Sequence, residues 1–268
     1  LLDCGEGTQI QMNIYKIRRS RINHIFISHL HGDHYFGLPG LITSYGLLNR
    51  SHDRHLYAPS ALQNILDLIL NMSNTTLPYK LHFHPLENAS ILVEEESFSV
   101  ECFKVFHRID CWGFLFREKR KPRKINPEAT AQYNIPVDYF EQLKQGEDFI
   151  QNGTIISNEI LTVPNKPSRS YAYSADTLYN EALSEKFKNA DLLYHEATYL
   201  KDNLDKAISR FHSTSIQAAA IAKLANVKKL LLGHFSSKYE KLDEFLTEAK
   251  EIFPDTQLAL EGQTFMII

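Results

Sequence analysis

His29-Leu30-His31-Gly32-Asp33-His34 puts three histidines and an aspartate into six consecutive positions. It follows directly on Ile22–Ser28 (INHIFIS), a short apolar run that reads as a buried strand. The metal-ligand side chains therefore start where a strand runs out into a loop. In an extended segment residues i and i+2 point the same way, so His29 and His31 can grip one ion. Gly32 permits a sharp turn that sends Asp33 and His34 toward a second ion. Imidazole and carboxylate suit zinc, at about 2.0–2.2 Å per bond. Two such ions, roughly 3.5–4 Å apart, can share a water-derived nucleophile and clamp a phosphodiester.

Working outward, other strand-like runs end the same way. Val100–Phe106 leads into His107, Ser170–Ser174 into Ala175 and Asp176, and Lys229–Leu232 into Gly233 and His234. Leu192–Tyr194 runs into His195-Glu196, and Trp112–Phe116 is a further strand. In layered α/β proteins ligands gather at strand ends, where loops converge, so several such endings suggest one shared site. Singly, each residue has a plainer reading: His107 and His234 as core or surface histidines, Asp176 as the cap of a following helix. His82-Phe83-His84 repeats the spacing without an adjacent acid and reads as structural, while His24, His52 and His55 have no comparable setting. Helical periodicity marks Ser60–Met72, a segment Ile216–Leu224 capped by Ser213 or Ser215, and Leu242–Phe253 ahead of Pro254. The C-terminal Gln257–Ile268 reads as a hairpin turning at Glu261-Gly262-Gln263.

With 268 residues, 43% apolar and 23% charged, the chain has the bulk of one large soluble α/β domain. No apolar run approaches the roughly 18–20 residues needed to cross a bilayer, and the opening Leu1-Leu2-Asp3-Cys4-Gly5 is not a secretory leader. The chain does not begin with Met, and we expect a further segment upstream. Cys4, Cys102 and Cys111 form no Cys-x-x-Cys pair, which argues against a zinc ribbon and a disulfide framework and for a reducing cytoplasm. A net charge of −3 gives no global support to nucleic-acid binding, so any RNA must meet a local basic patch. One segment offers it. Arg117–Arg169 holds five prolines and many charges with weak periodicity, and opens with Arg117, Lys119, Arg120, Lys121, Arg123 and Lys124 against the single acid Glu118. It reads as a protruding, flexible arm inserted in the domain rather than as a domain of its own; a solvated charged face is the plainer alternative.

HLHGDH matches the His-x-His-x-Asp-His signature of the metallo-β-lactamase superfamily, and the rest of the chain resembles one branch of it, the tRNA 3′-processing endoribonucleases called ribonuclease Z or tRNase Z. Leu2-Asp3-Cys4-Gly5-Glu6-Gly7-Thr8-Gln9, Asp33–Leu41, His195-Glu196-Ala197-Thr198, His212-Ser213-Thr214 and Gly233-His234-Phe235-Ser236 carry the likeness. The resemblance implies an αβ/βα four-layer sandwich, and two zinc ions per chain with manganese as the alternative. It puts His29, His31 and His107 on the first ion, Asp33, His34 and His234 on the second, and Asp176 between them. Asp33 would also serve as general base toward water, and Glu196 with His212 would relay a proton to the leaving 3′ oxygen. A histidine oriented by a carboxylate is a competent acid near neutral pH; the plainer reading of His212 is a helix-start residue. The inserted arm would grip precursor tRNA far from the scissile bond, and the chain would be a homodimer in which one subunit's arm serves the other's active site. The chain departs from the family pattern in having Ile135-Pro136-Val137-Asp138 near the place of a Gly-Pro element, and Lys238 where an arginine is common. The family's N-terminal strand, with a Pro and an Arg near the substrate phosphate, would precede Leu1.

The same metal cluster would equally serve a phosphodiesterase acting on another RNA or on a small phosphodiester. A non-catalytic RNA-binding relative is a different class of answer, but such proteins usually lose ligands and none is missing here. β-Lactam or thioester hydrolysis leaves Glu196 and His212 without a job.

Overall fold

The computed structural model describes residues 1–47 and 52–267. They fall into two compact units: Leu1–Glu94, Val100–Phe116 and Ser170–Ile268 form the first, Glu95–Ser99 and Arg117–Arg169 the second.

The first unit is built on two sheets. Strands β1 (His24–Phe26), β2 (Arg54–Ala58) and β3 (Leu81–Pro85) pair in parallel in that order. Strands β4 (Ser90–Glu94), β5 (Phe98–Lys104), β6 (Trp112–Glu118), β7 (Ser170–Tyr173), β8 (Leu192–Glu196), β9 (Lys229–Gly233) and β10 (Thr256–Leu258) lie side by side in chain order, with β7 to β10 mutually parallel. Alternation along each strand sorts side chains into layers. In β1 and β2, Ile25, Leu56 and Ala58 are buried with Leu38, Leu41, Ile42 and Tyr45 of the helix Leu38–Leu47 and Leu62 and Leu66 of the helix Ala61–Met72. From the opposite face Phe26 meets Phe114 and Phe116 of β6, ring centroids 5.4 and 5.5 Å apart, so the sheets stack on one another. The far face of the larger sheet contributes Ala172, Leu193, Leu230 and Leu232 to a second core, shared with Ala218, Ala219, Ile221 and Ala222 of the helix Ser215–Leu224 and Phe245 and Ala249 of the helix Asp243–Ile252. Helices, sheet, sheet and helices give the four layers.

Three local expectations are corrected. The helix Ser215–Leu224 is capped by Thr214, whose side chain accepts from Gln217 N–H while Gln217 reaches back to Thr214, a capping box. Ser213 and Ser215 are engaged elsewhere, donating to the Thr177 carbonyl and to Glu248. Thr256–Leu258 is a parallel edge strand; the turn near Gly262 (φ 75°) brings back no partner strand among the described residues, and Ile268 lies outside them. Gly32 is the first residue of a short helical turn, Gly32–Tyr35, and not a left-handed corner. A Cβ there would fall 2.4 Å from the exposed Phe36 ring, which would have to swing aside.

The second unit has its own small core of Ala129, Ile135, Leu143, Ile156 and Leu161. Asn126 caps the helix Pro127–Gln132, with Pro127 at its first position. Strands Phe149–Gln151 and Thr154–Ile156 form a hairpin around Asn152-Gly153, both at positive φ (50° and 80°), the backbone that a tight hairpin turn demands. Lys124–Ile125 pairs antiparallel with Thr162–Val163.

Candidate metal centre

Topology brings the ligand-type residues together. β7, β8 and β9 are adjacent and parallel, so their C-terminal ends share one edge, and there stand Asp176, Glu196 and His234. His29 follows β1 and His107 follows β5. The β1 end is joined to the larger sheet where Trp112 N–H donates to the Ser28 carbonyl (3.0 Å).

The ligand atoms of His29, His31, His107 and Asp176 lie within 4.8 Å of one another, and so do those of Asp33, His34 and His234. In the first group His29 Nε2 is 2.9 Å from His31 Nδ1, which is 3.2 Å from His107 Nε2. Asp176 stands between the groups: its Oδ2 is 3.7 Å from His29 Nε2, 3.4 Å from His34 Nε2 and 3.3 Å from His234 Nε2. Asp33 Oδ2 is 3.5 Å from both His34 Nε2 and His234 Nε2. His34 Nε2 is buried without a hydrogen-bond partner, aimed at carboxylate oxygens just beyond bonding range. A buried ring nitrogen left in that position, imidazoles converging nitrogen to nitrogen, and two carboxylates between them are the donor set of a divalent transition metal. The residues fit such ions.

Electrostatics divides the groups. Burial, with His34 next to it, pushes His29 down to about 2, and burial lowers His31 and His107 as well, so this trio is neutral and ready to ligate. Burial also works against charge on His34, but the carboxylates of Asp176 and Asp3 outweigh it and raise the ring to about 10. His234 is raised to about 9 against the same burial penalty, by Asp176 and Asp33. Asp176 is itself opposed by burial, yet His234, His34 and His29 hold its carboxyl well below the usual range, and His234 does the same for Asp33.

Beside this cluster Glu196 and His212 form a pair. Glu196 Oε1 accepts from His212 Nδ1 at 2.8 Å, and the carboxylate is fully buried, fixed by Thr177 N–H, Thr198 N–H and the Thr198 hydroxyl. Thr198 Oγ1 also lies 2.9 Å from His234 Nδ1, tying the pair to the candidate ligand cluster. His212, His234 and Asp33 open into a cavity of about 650 Å³ that Arg108, Tyr199, Arg210 and Ser236 also line.

The chain is similar to known proteins over nearly its whole length. Residues 1–235 match the family described as the Beta-lactamase superfamily domain. Ribonuclease Z of Bacteroides thetaiotaomicron is 43% identical over 270 residues, covering 100% of this chain and 85% of the relative. The chain belongs to the ribonuclease Z family. Ribonuclease Z of Synechocystis sp. is 38% identical over 274 residues, with 100% and 84% covered. Among solved structures, the short form of human tRNase Z superposes with a TM-score of 0.70 at 27% identity, covering 99% of this chain and 87% of that one. The fold is that of the metallo-β-lactamases.

Sequence reasoning about this ribonuclease Z-type site missed its braces. Asp3, quoted above only within a motif, accepts from Ser28 N–H and Oγ (2.7 and 2.9 Å), His34 Nδ1 (2.8 Å) and the Tyr173 hydroxyl (2.7 Å). It thus holds His34, a candidate ligand, from behind. Gly5 lets this N-terminal loop close on the ligand turn, since a Cβ there would lie 2.0 Å from the Asp33 carbonyl oxygen. The signal was present in the pairing of an acid with glycines, but only the fold shows what they press against. In the second unit Arg120, Lys121 and Arg123 line one cavity with Lys144 and another with Lys166, and Lys124 opens a short strand. Arg117 ends its apolar run exposed, and Lys119 N–H donates to the Ser97 carbonyl. His82 and Asp53 pair at 2.9 Å, and His55 Nδ1 lies 2.9 Å from His84 Nε2. No helix among the described residues is long and apolar enough to cross a membrane.

Proposed function

We propose that the chain cuts the 3′ trailer from precursor tRNA, as a metal-dependent endoribonuclease that leaves a 3′-hydroxyl on the tRNA. The observation that carries this reading is the Glu196–His212 pair standing beside a seven-residue ligand cluster. β-Lactam and thioester hydrolysis do not call for a positioned acid of this kind; an alkoxide leaving group does.

His29, His31 and His107 would hold one ion and Asp33, His34 and His234 the other, with the Asp176 carboxylate available to either group. We take both to be zinc, with manganese as the alternative; His-rich ligation at the first position favours zinc. Such ions supply Lewis acidity toward the phosphate and make water acidic enough to act as a nucleophile near neutral pH. Asp33, ionised and 67% exposed, takes the proton of the attacking water. The water oxygen bonds to phosphorus, the bond from phosphorus to the tRNA 3′ oxygen breaks, and His212 delivers a proton to that oxygen. Glu196 keeps the ring in place: its oxygen accepts a hydrogen bond from Nδ1–H and leaves Nε2 to face the substrate. The trailer departs with a 5′-phosphate.

The second unit is the arm of this reading, its Arg120, Lys121, Arg123, Lys124, Lys144 and Lys166 available to tRNA phosphates, with affinity falling as salt rises. The working form is a homodimer in which one copy's arm serves the other's site; dimer mass in solution checks this. Mapping the cut on one precursor tRNA, with metal analysis of the same sample, tests the whole reading. A single cut at the tRNA 3′ end with about two ions bound is the expected result. Hydrolysis of small phosphodiesters without any cut in precursor tRNA would move the assignment to another phosphodiester.

A further inference from the structure

We propose that Arg108 is a phosphate-binding residue of this active site, gripping a non-bridging oxygen of the scissile phosphodiester. The inference rests on the phosphodiesterase reading of the metal centre, but not on tRNA being the substrate.

Arg108 follows the ligand His107 directly and lines the same cavity as Asp33, His212 and His234, with its side chain exposed. The chain carries a net charge of −3, yet among the described residues Arg108 makes no ion pair with a carboxylate. Its recorded hydrogen bond runs from Nε to a ring nitrogen, His31 Nε2, at 3.2 Å. That contact depends on which His31 nitrogen carries the proton. His31 Nδ1 faces His29 Nε2 and His107 Nε2, so it is the atom directed at an ion, and Nε2 is the outer one. With Nδ1 given to an ion, the neutral ring must carry its proton on Nε2. The arginine N–H groups can only donate, and so lose their acceptor there. In the loaded protein the guanidinium is left at the rim of an open cavity beside the metal ligands, with donors and no acceptor. A phosphodiester brings two charged oxygens to that place, and its transition state concentrates more negative charge on them. A planar, two-pronged cation is the side chain suited to that group. An arginine merely solvated at a surface would need none of these coincidences.

The metal-loaded full chain, as wild type, Arg108→Ala and Arg108→Lys, decides the matter on three readouts: kcat/KM for bis(p-nitrophenyl) phosphate and for a precursor tRNA, binding of inorganic phosphate by calorimetry, and bound-metal content. Loss of one charge-assisted contact predicts that Arg108→Ala lowers kcat/KM about tenfold or more on both substrates and weakens phosphate binding by a similar factor. Metal content should stay unchanged. Arg108→Lys should recover part of the loss, because it keeps the charge without the two-pronged geometry. Values within about twofold of wild type would overturn the proposal, and so would a loss of metal in step with activity, which would make Arg108 a brace for His31 instead. If the wild type hydrolyses the small diester but leaves precursor tRNA intact, the tRNA reading fails, while the phosphate and small-diester comparisons still judge Arg108.

Discussion

Removing the Asp3 carboxylate should damage stability and metal affinity together, by amounts that the hydrogen bonds around it allow us to estimate. Four bonds of 2.7–2.9 Å end on its two oxygens, and its side chain is only 12% exposed. Asp3→Ala strands the Ser28 N–H, one nitrogen of His34 and the Tyr173 hydroxyl. Burial, with Asp3 next to it, keeps that phenol protonated far above its ordinary range, so it has nowhere to send its proton. Each stranded buried group costs roughly 1–3 kcal/mol, and breaking a buried charged network roughly 3–5 kcal/mol in total. For a chain of this size each kcal/mol lowers the melting temperature by roughly 2–4 °C, so a fall of about 10 °C is expected.

One confounding effect has to be removed. Asp3 sits at φ 48°, a left-handed conformation that alanine tolerates at a cost of roughly 1–2 kcal/mol. Asp3→Asn keeps the left-handed residue and one acceptor oxygen while turning the other into a donor that faces donors, so it should fall between wild type and alanine. Thermal unfolding of the metal-free proteins reads the stability, and competition with a chromophoric chelator reads the second ion, whose affinity should drop about 10–100-fold once His34 loses its rear partner. A melting temperature within about 2 °C of wild type for the alanine variant, with metal affinity intact, would refute the claim that this carboxylate braces the site.

Three further outcomes are expected. His212→Ala should slow cleavage of precursor tRNA by about 10²–10⁴-fold with bound metal unchanged, since the role proposed for His212 is to donate a proton and not to hold an ion, although its ring nitrogen lies within 4.8 Å of the ligand atoms of Asp176 and His234; metal analysis beside the rate checks it, and metal lost in proportion to rate would be inconsistent with the role. Replacing Arg117–Arg169 by a short Gly-Ser linker is feasible because β6 and β7, the strands that the segment joins, are neighbours in one sheet, and it should collapse precursor tRNA cleavage while bis(p-nitrophenyl) phosphate hydrolysis persists; equal survival of both would remove the arm from tRNA recognition. The two ions should also differ in pH dependence. His34 and His234 hold protons up to about 10 and about 9, so at pH 7–8 the second ion must displace both, and its affinity should fall by up to about a hundredfold per unit as pH drops. His29, His31 and His107 are already neutral there and the first ion should respond weakly; chelator competition from pH 6.5 to 8.5 separates the two, and equal slopes would contradict the division.

Much of the site was legible because strand ends are where an α/β sheet offers its side chains to a ligand, and a six-residue run of ligands is hard to miss. The cap of Ser215–Leu224 was misplaced at Ser213 or Ser215, whose hydroxyls go to Thr177 and Glu248, and Thr214, with Gln217 three residues on, was passed over. β2 and β3 escaped because histidines obscure their alternation: His55 and Tyr57 share one face while Leu56 and Ala58 enter the core. In Arg117–Arg169 dense charge hid a hairpin turn, Asn152-Gly153, that is among the strongest local signals available. What no local pattern reveals is a long-range brace. Asp3 and Tyr173 stand 170 positions apart, and nothing in either segment names the other.

Backbone strain gives an independent view of where function sits. Among the described residues ten non-glycine residues have positive φ, and six of them are Lys16, Asn74, Asn134, Asn152, Asn189 and Asn226, five being the residue type that accepts this conformation most readily. The other four are Asp3, Ala175, Phe211 and His234. Two of these are themselves site residues, and the other two immediately precede Asp176 and His212. Ala175 and Phe211 gain nothing locally from a left-handed backbone, so the surrounding fold must hold them there, whereas aspartate and histidine accept it more readily. The same twist lets a chain leaving a strand or helix turn its next side chain inward to the cluster. Strain at Ala175 and Phe211 and convergence of the candidate ligands are one structural requirement seen twice, and relieving the strain without losing the site should be possible at these two positions, where glycine keeps the backbone, and not at His234, whose side chain is proposed as a ligand.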